Sequence, residues 1–70
     1  MPKHRPPHRL LCRGRVNSVT ADGTAAEVAY IARGRVHRGQ FANPAGFILK
    51  VDQYVMVREK PARIVKDYWP

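Results

Sequence analysis

The alternation along residues 10–18 constrains this chain more than any other feature. Every second residue there, Leu10, Cys12, Gly14, Val16 and Ser18, is small or apolar, while Arg13, Arg15 and Asn17 fall between them. A period of two belongs to a β-strand, here with one dry face and one cationic face. Ala21-Asp22-Gly23 comes next with tight-turn composition, Gly23 tolerating a positive φ, and Ala26, Val28 and Tyr30 then resume the alternation. Residues 10–30 therefore read as a β-hairpin.

One stretch admits a rival reading. Thr24-Ala25-Ala26-Glu27 has the form of a capping box and Gly34 could end a helix, which would then span residues 25–33 and share Ala25, Val28, Ala29 and Ala32 on one face. With the adjoining Gly-Arg-Val-His-Arg-Gly it would be similar to the helix-hairpin RNA-binding module named after ribosomal protein four. The strand is preferred, because Gly14 and Asn17 spoil the preceding helix that such a module requires. Beyond it, residues 35–41 predict a third strand kinked at Gly39, and residues 42–46 a loop. Phe47, Ile48 and Leu49 are expected to return to the core. Val55 and Val57 alternate with Tyr54, Met56 and Arg58 as a fourth strand, Glu59-Lys60-Pro61 turns the chain, and residues 62–68 form a fifth, with Ile64, Val65 and Tyr68 its apolar members. Five short strands separated by turn signals predict an all-β fold, a small five-stranded antiparallel barrel of the oligonucleotide-binding (OB) type over residues 10–70. Residues 1–9, rich in proline and cations, read as an extended basic arm without its own core. The tetrapeptide Arg-Gly-Arg-Val occurs twice, from Arg13 and from Arg33, but the flanking residues do not extend the match into a repeat.

Seventy residues allow one domain, and a core of that size supplies only about 3–5 kcal/mol, so partners often help to hold such chains. Cys12 is alone, which excludes an internal disulfide. No apolar run approaches the ~20 residues that cross a bilayer, and no membrane partner is expected. Thirteen Lys and Arg against five Asp and Glu leave a net charge of +8, the balance of a chain that meets polyphosphate. Nine of the thirteen are arginine, whose planar fork donates two hydrogen bonds to one phosphate.

The bland reading of those cations is a solvated face. Against it, only Asp22 and Glu27 accompany eight Lys and Arg among the first thirty-eight residues, whereas a merely soluble surface mixes its signs. Phosphate contact is therefore assigned to Arg13, Arg15, Arg33, Arg35 and Arg38, with Lys3, Arg5 and Arg9 on the arm, and His37, Lys50, Lys60, Arg63 and Lys66 completing the RNA-binding set. Most of the six aromatic residues are needed for the core, so the RNA backbone rather than its bases should dominate recognition. His4, His8, Cys12 and His37 could in principle offer four zinc ligands, but Pro6 and Pro7 break the helix that would align the first three, and Cys12 occupies a dry strand position. No metal and no cofactor is expected. The carboxylates are scattered over turns and strand ends and Cys12 has no placed base, so neither catalysis nor a small-molecule substrate is expected.

Several of these residues also carry a family resemblance. Gly14-Arg15-Val16 with Ser18, then Asp22 with Thr24, then Gly39-Gln40-Phe41 resemble the G-R-V-x-S, D-x-T and G-K-F motifs of bacterial-type small-subunit ribosomal protein seventeen. Asp52, the run Arg58-Glu59-Lys60-Pro61 and Trp69 resemble that family's G-D-x-V segment, its E-x-R-P segment and its late tryptophan. There are departures. Gln40 replaces a lysine, Arg35 and Val36 stand in place of a histidine-proline pair, and a long basic loop is shortened to residues 42–46. The resemblance implies an OB barrel that is a structural constituent of the small ribosomal subunit, with small-subunit rRNA and neighbouring ribosomal proteins as partners. The trimmed loop and divergent arm point to an organellar, mitochondrial ribosome, with a bacterial cytoplasm or a plastid as alternatives. A translation initiation factor of the same barrel class is the alternative function, supported by Phe47-Ile48, Asp52, Val55 and Arg63-Ile64-Val65.

Overall fold

The computed structural model describes residues 11–68, with side chains to residue 67. Five strands form: β1 (Leu11–Val19), β2 (Ala25–Ala32), β3 (Arg35–Ala42), β4 (Tyr54–Glu59) and β5 (Ala62–Tyr68). They close into a barrel in the order β1-β2-β3-β5-β4, with β4 returning to β1. The fold is all-β, and residues 25–33 are not helical. Along β2 burial alternates as a strand requires, with Ala26, Val28, Tyr30 and Ala32 inside. The signal that resembled a capping box serves a turn instead. Asp22 Oδ1 accepts hydrogen bonds from the Thr20 hydroxyl and from the backbone N–H and hydroxyl of Thr24, at 2.8–3.1 Å. These bonds, led by the Thr24 N–H, hold the Asp22 carboxyl below its ordinary pKa.

The ladders are antiparallel except one. β3 and β5 run parallel, joined through the single registered pair Ala42 and Arg63. The small antiparallel barrel expected from the sequence forms with this one exception, for a reason of parity: five strands in a closed ring cannot alternate direction throughout, so one seam must be parallel. That seam is kept short.

Inside the barrel, Val16, Val28, Phe41, Val55, Val57 and Ile64 are the largest fully buried side chains. Each contributes roughly 1.5–3 kcal/mol by leaving water. Gly14 lies among them because β1 and β2 approach closely there: a Cβ would stand 2.5 Å from Val28 Cγ1 and 2.9 Å from the Ala29 carbonyl oxygen.

Three local features depart from the sequence pattern. In β1, Val16 pairs with Val28 but Ser18 with Glu27, so Asn17 is an extra residue, a β-bulge that reverses the sides taken by Ser18 and Val19. Ser18, expected on the dry face, is exposed, and Val19 turns in to pack on the core. In β3 no kink occurs at Gly39: the ladder with β2 runs in unbroken register, and Gly39 faces inward under the Phe41 ring. The β3–β4 connection spans residues 43–53, longer than the loop expected at residues 42–46. Phe47 and Leu49 pack against the core, whereas Ile48, between them, is 76% exposed. Buried Asn43 anchors this connection, its side-chain amide bonding the carbonyls of Gly23 and Phe47 and accepting from the Phe47 N–H.

Candidate nucleic-acid interface

Outward positions of β1, β2 and β3 form one face, and cross-strand register arranges it in rows. Tyr54 of β4 pairs with Arg15 of β1, Arg15 with Ala29 of β2, and Ala29 with Arg38 of β3. One step nearer the β2–β3 turn, Arg13 pairs with Met56, and Ile31 with Val36. Ile31 and Val36 are 63% and 71% exposed and Tyr54 42%, high values for large apolar side chains in strands. Arg13, Arg15, Ala29, Ile31, Val36 and Tyr54 line one shallow depression. Arg38 borders it across Ala29, and Arg35 stands exposed where β3 begins. Strands two and three form the face that OB barrels present to oligomeric ligands. Such an array can take phosphates on its arginines while sugar and base surfaces cover the apolar centre.

Arg15 has a partner of its own, Asp52, with Nε to Oδ1 at 3.9 Å and both side chains largely in solvent. An exposed pair of that length contributes about 0–1 kcal/mol, little enough for a phosphate to displace it. Glu27 lies further along β2, opposite Gln40, at the margin of the basic rows.

Other cations assigned from the sequence lie elsewhere. Arg33 sits in the β2–β3 turn, where it and Gly34 both have positive φ, 53° and 75°, as a two-residue hairpin turn of type I′ requires. Its guanidinium is engaged by Glu59, with Nη1 to Oε1 and Nη2 to Oε2 each 3.1 Å. Glu59 also accepts from the Tyr30 hydroxyl at 3.0 Å. The Arg33 fork, and after it the Tyr30 hydrogen bond, hold the Glu59 carboxyl below its usual range, while burial followed by that same hydrogen bond raises the Tyr30 phenol. Arg33 is thus a clasp between the β2–β3 turn and the end of β4. His37 faces inward, stacked on Tyr30 with ring centroids 5.3 Å apart and its Nε2 donating to the Ala32 carbonyl at 3.1 Å. Neither residue belongs to the outer face. Buried Cys12 lies on the same inward side, its thiol pushed up by burial and then by the charge of Glu59.

Lys50 is exposed in the β3–β4 connection and Lys60 in the β4–β5 turn, while Arg63 and Lys66 lie on β5, across the barrel from β2. Lys3, Arg5, Arg9, Leu10 and Trp69 lie outside the described residues, as do His4 and His8. The sequence pattern does not single out Ile31, Val36 or Tyr54 as site residues. Parity along β2 could have found Ile31, since it stands one place out of step with buried Tyr30.

No helix among the described residues is long and apolar enough to cross a membrane. No protein-family model, curated protein or solved structure matches the chain.

Proposed function

We propose that the protein binds RNA on the outer face of β1, β2 and β3, without turnover. Arg13, Arg15, Arg35 and Arg38 bind phosphates, and the surface of Ile31, Val36 and Tyr54 packs against sugars and bases. The observation that carries this reading is the row Arg15–Ala29–Arg38, two arginines flanking a small residue beside an apolar centre exposed to solvent. A solvated face would place polar side chains where Ile31 and Val36 stand. The net charge of +8 supports a polyanionic partner. With the motif resemblance, the RNA proposed is that of the small ribosomal subunit, the protein serving as a structural constituent beside other ribosomal proteins, in a mitochondrial ribosome.

A second reading has its own support. The β3–β4 connection spans residues 43–53 but carries Lys50 as its single cation, so it lacks the basic character of the loop by which the resembled family would embed itself in rRNA. That favours reversible binding to the subunit, as by an initiation factor.

Sedimentation of small subunits with the tagged protein tests both. A constituent stays with the subunit through a high-salt wash, a reversible factor binds at low salt and is released, and a protein that never co-sediments excludes both assignments. Loss of low-salt binding on replacing Arg15 and Arg38 together by Ala identifies the face. Undiminished binding by that folded double variant would overturn it.

A further inference from the structure

The wall opposite β2 carries a second concentration of charge. Arg58 of β4 and Arg63 of β5 stand directly opposite each other. Such cross-strand neighbours have Cβ atoms about 5 Å apart, and like charges there repel. Both side chains are half-buried, and the Nε of each is buried without a hydrogen-bond partner. Buried donors left without an acceptor are exceptional in folded proteins. The ion pairs of Arg15 with Asp52 and of Arg33 with Glu59 involve neither of them. Glu59, next in sequence to Arg58, is turned to Arg33 and Tyr30 instead. Leu11 flanks Arg58 on one side and Ala42 flanks Arg63 on the other, so the two guanidiniums lie between apolar neighbours that offer no side-chain acceptor. Lys66, exposed on the same wall, adds a third cation.

Two opposed guanidiniums with unmatched Nε donors are resolved by one oxyanion with several acceptor oxygens. Such a group accepts from both forks and cancels their repulsion. We propose that Arg58 and Arg63 form a second phosphate site, which takes a phosphodiester of a second RNA segment, so that the barrel bridges two segments from opposite walls. The phosphate site stands on the geometry of the pair, and only the identity of its carrier rests on the RNA reading above.

The test uses the full chain with Arg58→Met and Arg63→Met, which keep a long unbranched stem and remove the charge and the Nε donor. Donor- and acceptor-labelled single-stranded RNA oligonucleotides are mixed with the protein. The wild type should hold two and give energy transfer between them, and the double variant should hold one and give none. Without RNA at low salt, the double variant should melt no lower than the wild type, since repulsion and unmatched donors are relieved. Inorganic phosphate at constant ionic strength should shift the Nε–Hε resonances of Arg58 and Arg63 in the wild type.

One oligonucleotide per chain in wild type and variant alike overturns the bridge and leaves the β1–β3 reading intact. Phosphate-shifted resonances with a single bound oligonucleotide make free phosphate the ligand, and also overturn the bridge. Loss of all RNA binding in the Met variants, with the Arg15 and Arg38 variants unaffected, keeps the phosphate site but overturns the other face and, with it, the bridge. A lower melting temperature for the Met variants shows the pair to be structural, against the proposal.

Discussion

Arg33 and Glu59 meet through two parallel hydrogen bonds of 3.1 Å, tying the β2–β3 turn to the end of β4. A non-glycine residue at φ 53° is disfavoured, and this clasp, with Tyr30 as its third member, holds it there. The same contact engages both terminal nitrogens of Arg33 and fixes several expected outcomes.

Acid should weaken the fold through Glu59. Its carboxyl is held below the ordinary value by Arg33 first and Tyr30 second, so its contribution is complete above the unfolded-state pKa and is lost as pH falls through the lower folded value. Asp22, lowered by Thr24, acts in the same direction. Thermal melts from pH 7 down to about pH 2.5 should therefore fall less steeply for Glu59→Gln than for the wild type, and least for Glu59→Gln with Asp22→Asn. Parallel curves would show that the clasp does not contribute.

Gly14 and Gly39 should respond oppositely to alanine. At Gly14 the new Cβ meets a backbone oxygen at 2.9 Å, which cannot swing aside, and overpacking of this kind costs about 1–3 kcal/mol. At Gly39 the nearest atom is the Phe41 ring at 3.5 Å, an ordinary contact, so Gly39→Ala should be neutral or stabilise the strand by up to about 1 kcal/mol. Urea denaturation measures both. A stable Gly14→Ala protein would mean that β1 and β2 are not in this close contact.

Carboxylates placed on the two sides of the barrel wall should separate folding from binding. Val16 and Ile64 are 0% and 1% exposed, so Val16→Asp or Ile64→Asp buries an unpaired acid and should abolish folding. Val36→Asp, on the outer face, should leave the circular dichroism spectrum intact and weaken RNA binding by repulsion. A folded Val16→Asp would place that side chain outside.

Salt dependence should distinguish phosphate contacts from structural arginines. Replacing Arg15 or Arg38 by Ala should reduce the log–log salt slope of RNA affinity by roughly 0.7–0.9 per phosphate lost, alike for all RNA sequences. Arg33→Ala should lower the melting temperature and leave the slope unchanged. A slope that falls for Arg33→Ala but not for Arg38→Ala would reverse their assigned roles.

The placement of Gly39 changes one further expectation. From the sequence, a kink there would let an RNA backbone come close, giving Arg35 and Arg38 the larger effects. Gly39 instead faces the core, so nothing about it favours those two arginines over Arg13.

By itself the sequence determined the five strands, the closed all-β architecture and the inward identity of Cys12, Val16, Val28, Val55, Val57 and Ile64. It could do so because a period of two, interrupted by turn residues, has one local solution that buries those side chains together. It also placed Arg13 and Arg15 outward, since parity from a buried neighbour is a local property. Tertiary structure alone decided the rest. The bulge at Asn17 reverses Ser18 and Val19, and barrel closure sets its place through the register of β1 against β2, which neither strand encodes alone. The parallel β3–β5 seam results from closing an odd number of strands. Arg33 and Arg38 are chemically identical and five residues apart. One becomes a clasp and the other faces solvent because Glu59, twenty-six residues beyond Arg33, is brought to the β2–β3 turn only when β4 returns to β1. Arg58 and Arg63 likewise become a pair only across the β4–β5 ladder, where cross-strand register sets two like charges side by side.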